Sequence, residues 1–125
     1  MATILIIEDE EDLRLLLRLS LRNEAYVILE AATGAAGAAL WSSADLVLLD
    51  IRLPDINGLD LLRSLPVSAT PVIAMSAHAG RDIRATAIEA GCVAYLIKPF
   101  TPTELTDAIR THLAAAGCGS AGVTL

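Results

Sequence analysis

At 125 residues the chain is long enough for one domain with a single proper core. Its net charge of −6, with nine scattered Lys and Arg residues, argues against a surface that grips a nucleic-acid backbone or an anionic membrane. No apolar run reaches the roughly 18 residues of a transmembrane helix. The start, Met1-Ala2-Thr3, has no basic segment of the kind that opens a signal peptide. Cys92 and Cys118 lack metal-ligand spacing, so they read as reduced thiols of a cytoplasmic protein.

In chain order, Ile4–Ile7 is a continuous aliphatic run of strand length, followed at once by five acids, Glu8 to Asp12. A helix follows in which Leu13, Leu16, Leu17, Leu21 and Ala25 share one face at helical spacing, while Leu15 and Leu19 lie on the far face among Arg18 and Arg22. Tyr26–Leu29 is a weaker strand signal, and Thr33 can cap a helix through Ala35–Leu40. Leu46–Leu49 is a second strong strand, ending at Asp50. Asp55, Asn57 and Gly58 are expected to shape the turn into a short helix from Asn57 to Leu65, ended before Pro66. Val72–Met75 is the third strong strand and delivers Ser76, with His78 a solvated residue of the following loop. Arg81–Ala90 reads as a helix stopped by Gly91. Val93–Ile97 is a weaker strand that delivers Lys98, the only lysine in the chain. Thr103–Ala116 is a last helix, with Pro102 near its start, the stripe Leu105, Ala108, Ile109 and Leu113, and His112 at the core boundary. Trp41 and Cys92 read as packing residues, and 117–125 as a flexible C-terminal tail beyond a domain at 1–116.

The three strongest strands do not alternate with polar residues, so both their faces are covered, as in a parallel sheet. Five strand–helix units with right-handed connections predict a flavodoxin-like (βα)5, doubly wound α/β fold with strand order 2-1-3-4-5. Ligands of such sheets bind at the carboxyl ends of the strands, where the order reverses between strands one and three. Glu8 and Asp9 therefore face Asp50 across one crevice, with Ser76 and Lys98 approaching from the next strands. Three ionised carboxylates need a counter-charge. A hard divalent cation supplies it: Mg²⁺ and Lys98 contribute +3 against −3 from Glu8, Asp9 and Asp50. Glu10, Glu11 and Asp12 instead begin a helix, where acids suit the dipole. Acids after strand one also exclude the bare backbone phosphate cradle of flavodoxin and Rossmann proteins, and "TGAAG" (Thr33–Gly37) lacks the glycine fingerprint.

The blocks "ILIIEDE", "DLVLLDIRLPDINGLDLL", "PVIAMSA" and "AYLIKPF", in that order and spacing, resemble the receiver domain of two-component response regulators across Thr3 to about Ala115. The resemblance implies that Asp50 is the phosphoacceptor. Asp9 then ligates Mg²⁺ (Mn²⁺ serving as a substitute), Glu8 assists through water, and the Arg52 backbone carbonyl is a further ligand. It makes Ser76 and Lys98 the phosphoryl-stabilising groups, Ser76 and Tyr95 the switch, and Lys98–Pro99 a cis peptide bond. It also implies a histidine kinase or histidine phosphotransfer protein as donor, docking at the first helix where Leu15 and Leu19 lie. A downstream protein would read a surface of helix four, strand five and helix five, and the chain would be a monomer or a phosphorylation-dependent dimer without direct nucleic-acid or membrane contact. Such a domain is a phosphoacceptor with slow self-catalysed phosphotransfer and dephosphorylation rather than an enzyme. Glu8 stands where Asp is commoner and Ser76 where Thr is commoner. Arg52 sits where the family tunes hydrolysis, and its long side chain is expected to cover part of the phosphoryl group. The rival readings are a receiver-like binding module that works without phosphorylation and a haloacid-dehalogenase-type phosphohydrolase. The latter carries a second Asp two residues after its nucleophile, a place held here by Arg52.

Overall fold

The computed structural model describes residues 1–66, 68–77 and 80–116; His78, Cys118 and the tail at 117–125 lie outside the described residues. Five strands, β1 (Ala2–Ile7), β2 (Tyr26–Ala31), β3 (Leu46–Asp50), β4 (Val72–Ser76) and β5 (Ala94–Ile97), alternate with five helices, α1 (Glu11–Leu21), α2 (Gly34–Leu40), α3 (Gly58–Ser64), α4 (Arg81–Ala90) and α5 (Pro102–Ala115). A 3-10 turn at Trp41–Ser43 follows α2. All strand pairs are parallel, and the order is β2-β1-β3-β4-β5. This is the expected doubly wound (βα)5 sheet of order 2-1-3-4-5.

The aliphatic runs form strands because both faces are packed. In β1, Leu5 and Ile7 join a core with Trp41, Leu59, Leu61 and Ala87 under α2, α3 and α4. Ile4 and Ile6 join a second core with Leu17, Leu21, Leu105, Ile109 and Leu113 under α1 and α5. Each fully buried aliphatic side chain contributes about 1.5–3 kcal/mol. Strand alternation thus feeds two cores from one sheet.

Helix boundaries follow local chemistry. The Thr33 hydroxyl accepts from Ala36 N–H and caps α2. Asn57 caps α3 through Leu59 N–H and Asp60 N–H, so it is the cap before the helix rather than its first residue. Gly91, at φ 115°, closes α4 in the left-handed conformation expected of it. Helix α5 starts one residue earlier than expected, because Thr101 and Glu104 form a reciprocal capping box with Pro102 in the first turn.

Two expectations about apolar faces are corrected. In α1 only Leu17 and Leu21 are buried; Leu16 is 56% exposed, alongside Leu15 and Leu19. Ala25 lies beyond the helix and is exposed. Helix α1 packs against α5 and β2, and leucines at six of its positions crowd the wheel beyond what those neighbours cover. Val93 precedes β5 rather than opening it and is exposed. Trp41 and Cys92 are buried as packing residues, and His112 is half-buried at the boundary.

Candidate functional site

The site forms at the carboxyl ends of β1 and β3, between which the strand order reverses. Ladder partners align the strand tips: Ile7 sits opposite Leu49, Asp50 opposite Met75, and Ser76 opposite Ile97. One residue further on, Lys98 N–H donates to the Ser76 carbonyl at 2.8 Å. Glu8, Asp50, Ser76 and Lys98 therefore lie at neighbouring strand tips, each ending or immediately following a strand, with Asp9 one residue beyond Glu8.

Glu8 and Asp50 are buried polar groups, at 0% and 4% exposure, as is Ser76, whereas Asp9 is exposed. The Lys98 ammonium donates to Glu8 Oε1 at 2.8 Å and to Asp50 Oδ2 at 3.1 Å. Asp50 Oδ1 accepts from the Arg52 backbone N–H at 3.0 Å, and Glu8 Oε2 accepts from Glu10 N–H at 3.0 Å. Burial pushes the Glu8 carboxyl up to about 7, although the Lys98 hydrogen bond and the Glu10 N–H pull it back, and the Asp50 charge adds to the rise. Burial alone would lower the Lys98 pKa. The Glu8 hydrogen bond and the Asp50 and Glu8 charges outweigh it and hold the ammonium above its usual value. The positive charge is thus locked between two carboxylates.

One oxygen from each of Glu8, Asp9 and Asp50 can be chosen so that all three lie within 4.8 Å of one another. This set fits a hard divalent cation. Its donors are oxygens alone, two of the acids are withdrawn from water, and Lys98 neutralises only part of their charge. Asp9 keeps its carboxylate at the open side. Glu8 spends one lone pair of each oxygen on Lys98 and Glu10, so an ion would reach it through a second lone pair or a water.

The β3–α3 turn carries the rest. The Arg52 side chain is exposed, and its backbone bridges to Asn57. Gly58 N–H donates to the Ile51 carbonyl at 2.7 Å. The Lys98–Pro99 peptide bond is cis. Tyr95 is half-buried against the core under α4, with the Arg84 guanidinium 5.8 Å from its ring centre. Leu15 and Leu19 are exposed on α1. A groove of about 580 Å³ opens between α1 and the β5–α5 turn beside Lys98, lined by Leu13, Leu16, Leu17, Pro99, Phe100 and Pro102.

Arg14 was not singled out from sequence, and Asp55 and Gly58 were read only as shaping the turn into α3. Arg14 binds the β1–α1 loop, Asp55 crosses to α2, and Gly58 abuts the Asp50 backbone. Gly58 carries a readable signal in the Asn57–Gly58 pair. Asp55 acts through N–H groups 21 and 20 residues away, and Arg14 through the Glu8 and Asp9 carbonyls and the Glu30 side chain.

An open parallel sheet of this order, with acids at its switch point and a lysine from the last strand, defines the receiver class of signalling domain. The description "Response regulator receiver domain" matches residues 4–110, and the chain belongs to that family, the receivers of two-component systems. It is 36% identical to the transcriptional regulatory protein ResD of Bacillus subtilis over 113 residues, covering 88% of this chain and 47% of that protein. It is 38% identical to the KDP operon transcriptional regulatory protein KdpE of Escherichia coli over 116 residues, covering 90% of this chain and 52% of that protein. The chain thus spans about half the length of the curated relatives it matches. A CheY-like receiver domain protein from Methanospirillum hungatei superposes with a TM-score of 0.84 at 29% identity, covering 93% of this chain and 96% of that one. Among the described residues, no helix is long and apolar enough to cross a membrane.

Proposed function

We propose that this chain accepts a phosphoryl group on Asp50 from the phosphohistidine of a histidine kinase or histidine phosphotransfer protein. The observation that carries this reading is the Lys98 ammonium shared between Glu8 and Asp50, with Asp9 alongside. Asp9, Asp50 and the Arg52 backbone carbonyl would hold Mg²⁺, with Glu8 assisting through water. When bound, the ion would offset charge on the oxygens of the transferring group.

The chain's own residues do the rest. The Arg52 N–H fixes one Asp50 oxygen and the Lys98 ammonium the other, so the carboxylate is aimed before the donor arrives. A lone pair of Asp50 attacks phosphorus, the P–N bond breaks, and its electron pair leaves on the donor imidazole, which takes up a proton. Lys98 then stabilises the transferred oxygens. Water later cleaves the acyl phosphate and restores the carboxylate. Ser76 donates to the new phosphoryl oxygen and Tyr95 turns inward behind it. That shifts the α4–β5–α5 face between two populations with different affinity for a downstream protein or a second copy of the chain. The donor docks on α1 through Leu15 and Leu19, joined by Leu16 and the groove beside Lys98.

Incubation with Mg²⁺ and acetyl phosphate, read by intact mass, tests the reading. One added phosphate is expected on the wild type and none on Asp50→Asn. An unlabelled wild type would overturn the function, and a labelled Asp50→Asn would move the site.

A further inference from the structure

Arg14 lies one turn into α1, yet its guanidinium turns back to the tip of β1 instead of out to water, leaving the side chain 17% exposed. Its Nη1 donates to the carbonyl of Glu8 at 2.7 Å and to the carbonyl of Asp9 at 3.2 Å. Its Nε donates to Glu30 Oε1 on β2 at 3.3 Å, and the other Glu30 oxygen accepts from Arg18 Nη1 at 2.7 Å. A charged chain therefore runs from Arg18 through Glu30 and Arg14. It ends on two successive carbonyl oxygens, those of the residues that bring two of the three acids to the crevice.

We propose that Arg14 is a positioning residue for the cation site. It fixes the peptide planes of Glu8 and Asp9 so that the Asp9 carboxylate is held facing Asp50, and Glu30 locks Arg14 in that pose. The inference rests on the reading of the acids as a cation site. Glu8, Asp9 and Asp50 repel one another before an ion arrives, and Asp9, the exposed member, is the one free to swing outward. Charge-assisted hydrogen bonds to consecutive carbonyls oppose that swing, so less ordering is left for the ion to impose. Lysine is a partial replacement, because its one nitrogen can serve the carbonyls but lacks the second, Nε-type donor that ties Arg14 to Glu30.

Titration calorimetry with Mg²⁺ alone tests this on wild type, Arg14→Gln, Arg14→Lys, Glu30→Gln and Arg110→Gln, with melting temperatures in parallel. Arg110 is the control, since it pairs with Glu24 at 2.7 Å and touches none of the three acids. Arg14→Gln is expected to weaken Mg²⁺ binding about tenfold, as loss of a ligand-orienting partner generally does. Arg14→Lys and Glu30→Gln weaken it less, and Arg110→Gln lowers the melting temperature without changing the affinity. If Arg14→Gln and Glu30→Gln melt early yet bind Mg²⁺ within about twofold of wild type, Arg14 is a plain helix clamp and the proposal is overturned with the cation site intact. If wild type shows no saturable Mg²⁺ binding, the cation site falls and takes this inference with it. Should Arg14→Gln fail to fold, Glu30→Gln and Arg14→Lys decide the matter, because each keeps a hydrogen-bonding side chain at a partly exposed position.

Discussion

Gly58 opens α3 directly beneath the carbonyl of Asp50. A Cβ at this position would collide with the Asp50 backbone oxygen and stand 3.0 Å from Ile51 Cα. Backbone atoms cannot rotate aside, so the strand tip or the helix must move. Gly37 in α2 offers a contrast, because the nearest atoms to a Cβ there belong to the buried side chain of Ile7 rather than to backbone, and alanine gains about 1 kcal/mol of helix propensity over glycine to set against the shift of that side chain. Gly58→Ala is therefore expected to cost about 1–3 kcal/mol and to slow labelling of Asp50 by acetyl phosphate. Gly37→Ala should cost less and leave labelling alone. Urea midpoints and labelling rates on the two variants check this. Unchanged labelling in Gly58→Ala would show that the glycine serves packing and not the aim of the Asp50 carboxylate.

Helix α2 is only seven residues long and lacks acids in its first turn. Its N-terminus is held from outside the helix, because Asp55 accepts from Gly34 N–H at 2.8 Å and from Ala35 N–H at 3.0 Å. Those two N–H groups also hold the Asp55 carboxyl below its ordinary pKa. Its stabilising contribution is therefore present above the unfolded value near 3.8 and is lost as pH falls through the lower folded value. Asp55→Ala should unfold at lower urea than wild type at neutral pH, with the gap closing in acid. A gap that stays constant down to about pH 3 would rule out the ionised carboxylate as the tie. The sequence read Asp55 as shaping its own turn, because its partners lie 21 and 20 residues away and leave no local pattern. The capping box at Thr101–Glu104 is a local pattern that a helix begun at Thr103 passed over, whereas the leucines of α1 were ambiguous for a physical reason. Six of them spread around one short helix, and only tertiary packing selects which are covered.

At the scale of the whole molecule the sheet explains why so much of the site could be read from the chain. A strand buried on both faces must be aliphatic throughout, so β1, β3 and β4 announce themselves, and the first polar residue after each marks the crevice. Glu8, Asp50 and Ser76 followed from that alone, as did Lys98 after a weaker strand. What could not be read were the contacts that brace those residues, since Arg14 and Asp55 depend on which loops the doubly wound order brings together. The same order places Asp9 at the open side of the crevice, and this gives a test in which folding itself reports the ion. A ligand that binds only the folded chain stabilises it by about 2.7 kcal/mol at a hundredfold excess over its dissociation constant. For a domain of this size that raises the melting temperature by on the order of 10 °C, at roughly 4 °C per kcal/mol. Asp9→Asn removes one of three crowded charges and, among the described residues, breaks no side-chain hydrogen bond. Its melting temperature in EDTA should match or exceed that of wild type, while the rise on adding Mg²⁺ should largely vanish. Thermal denaturation of both proteins with and without Mg²⁺ measures this. A full magnesium-dependent rise in Asp9→Asn would place the ion somewhere other than the point where the strand order reverses.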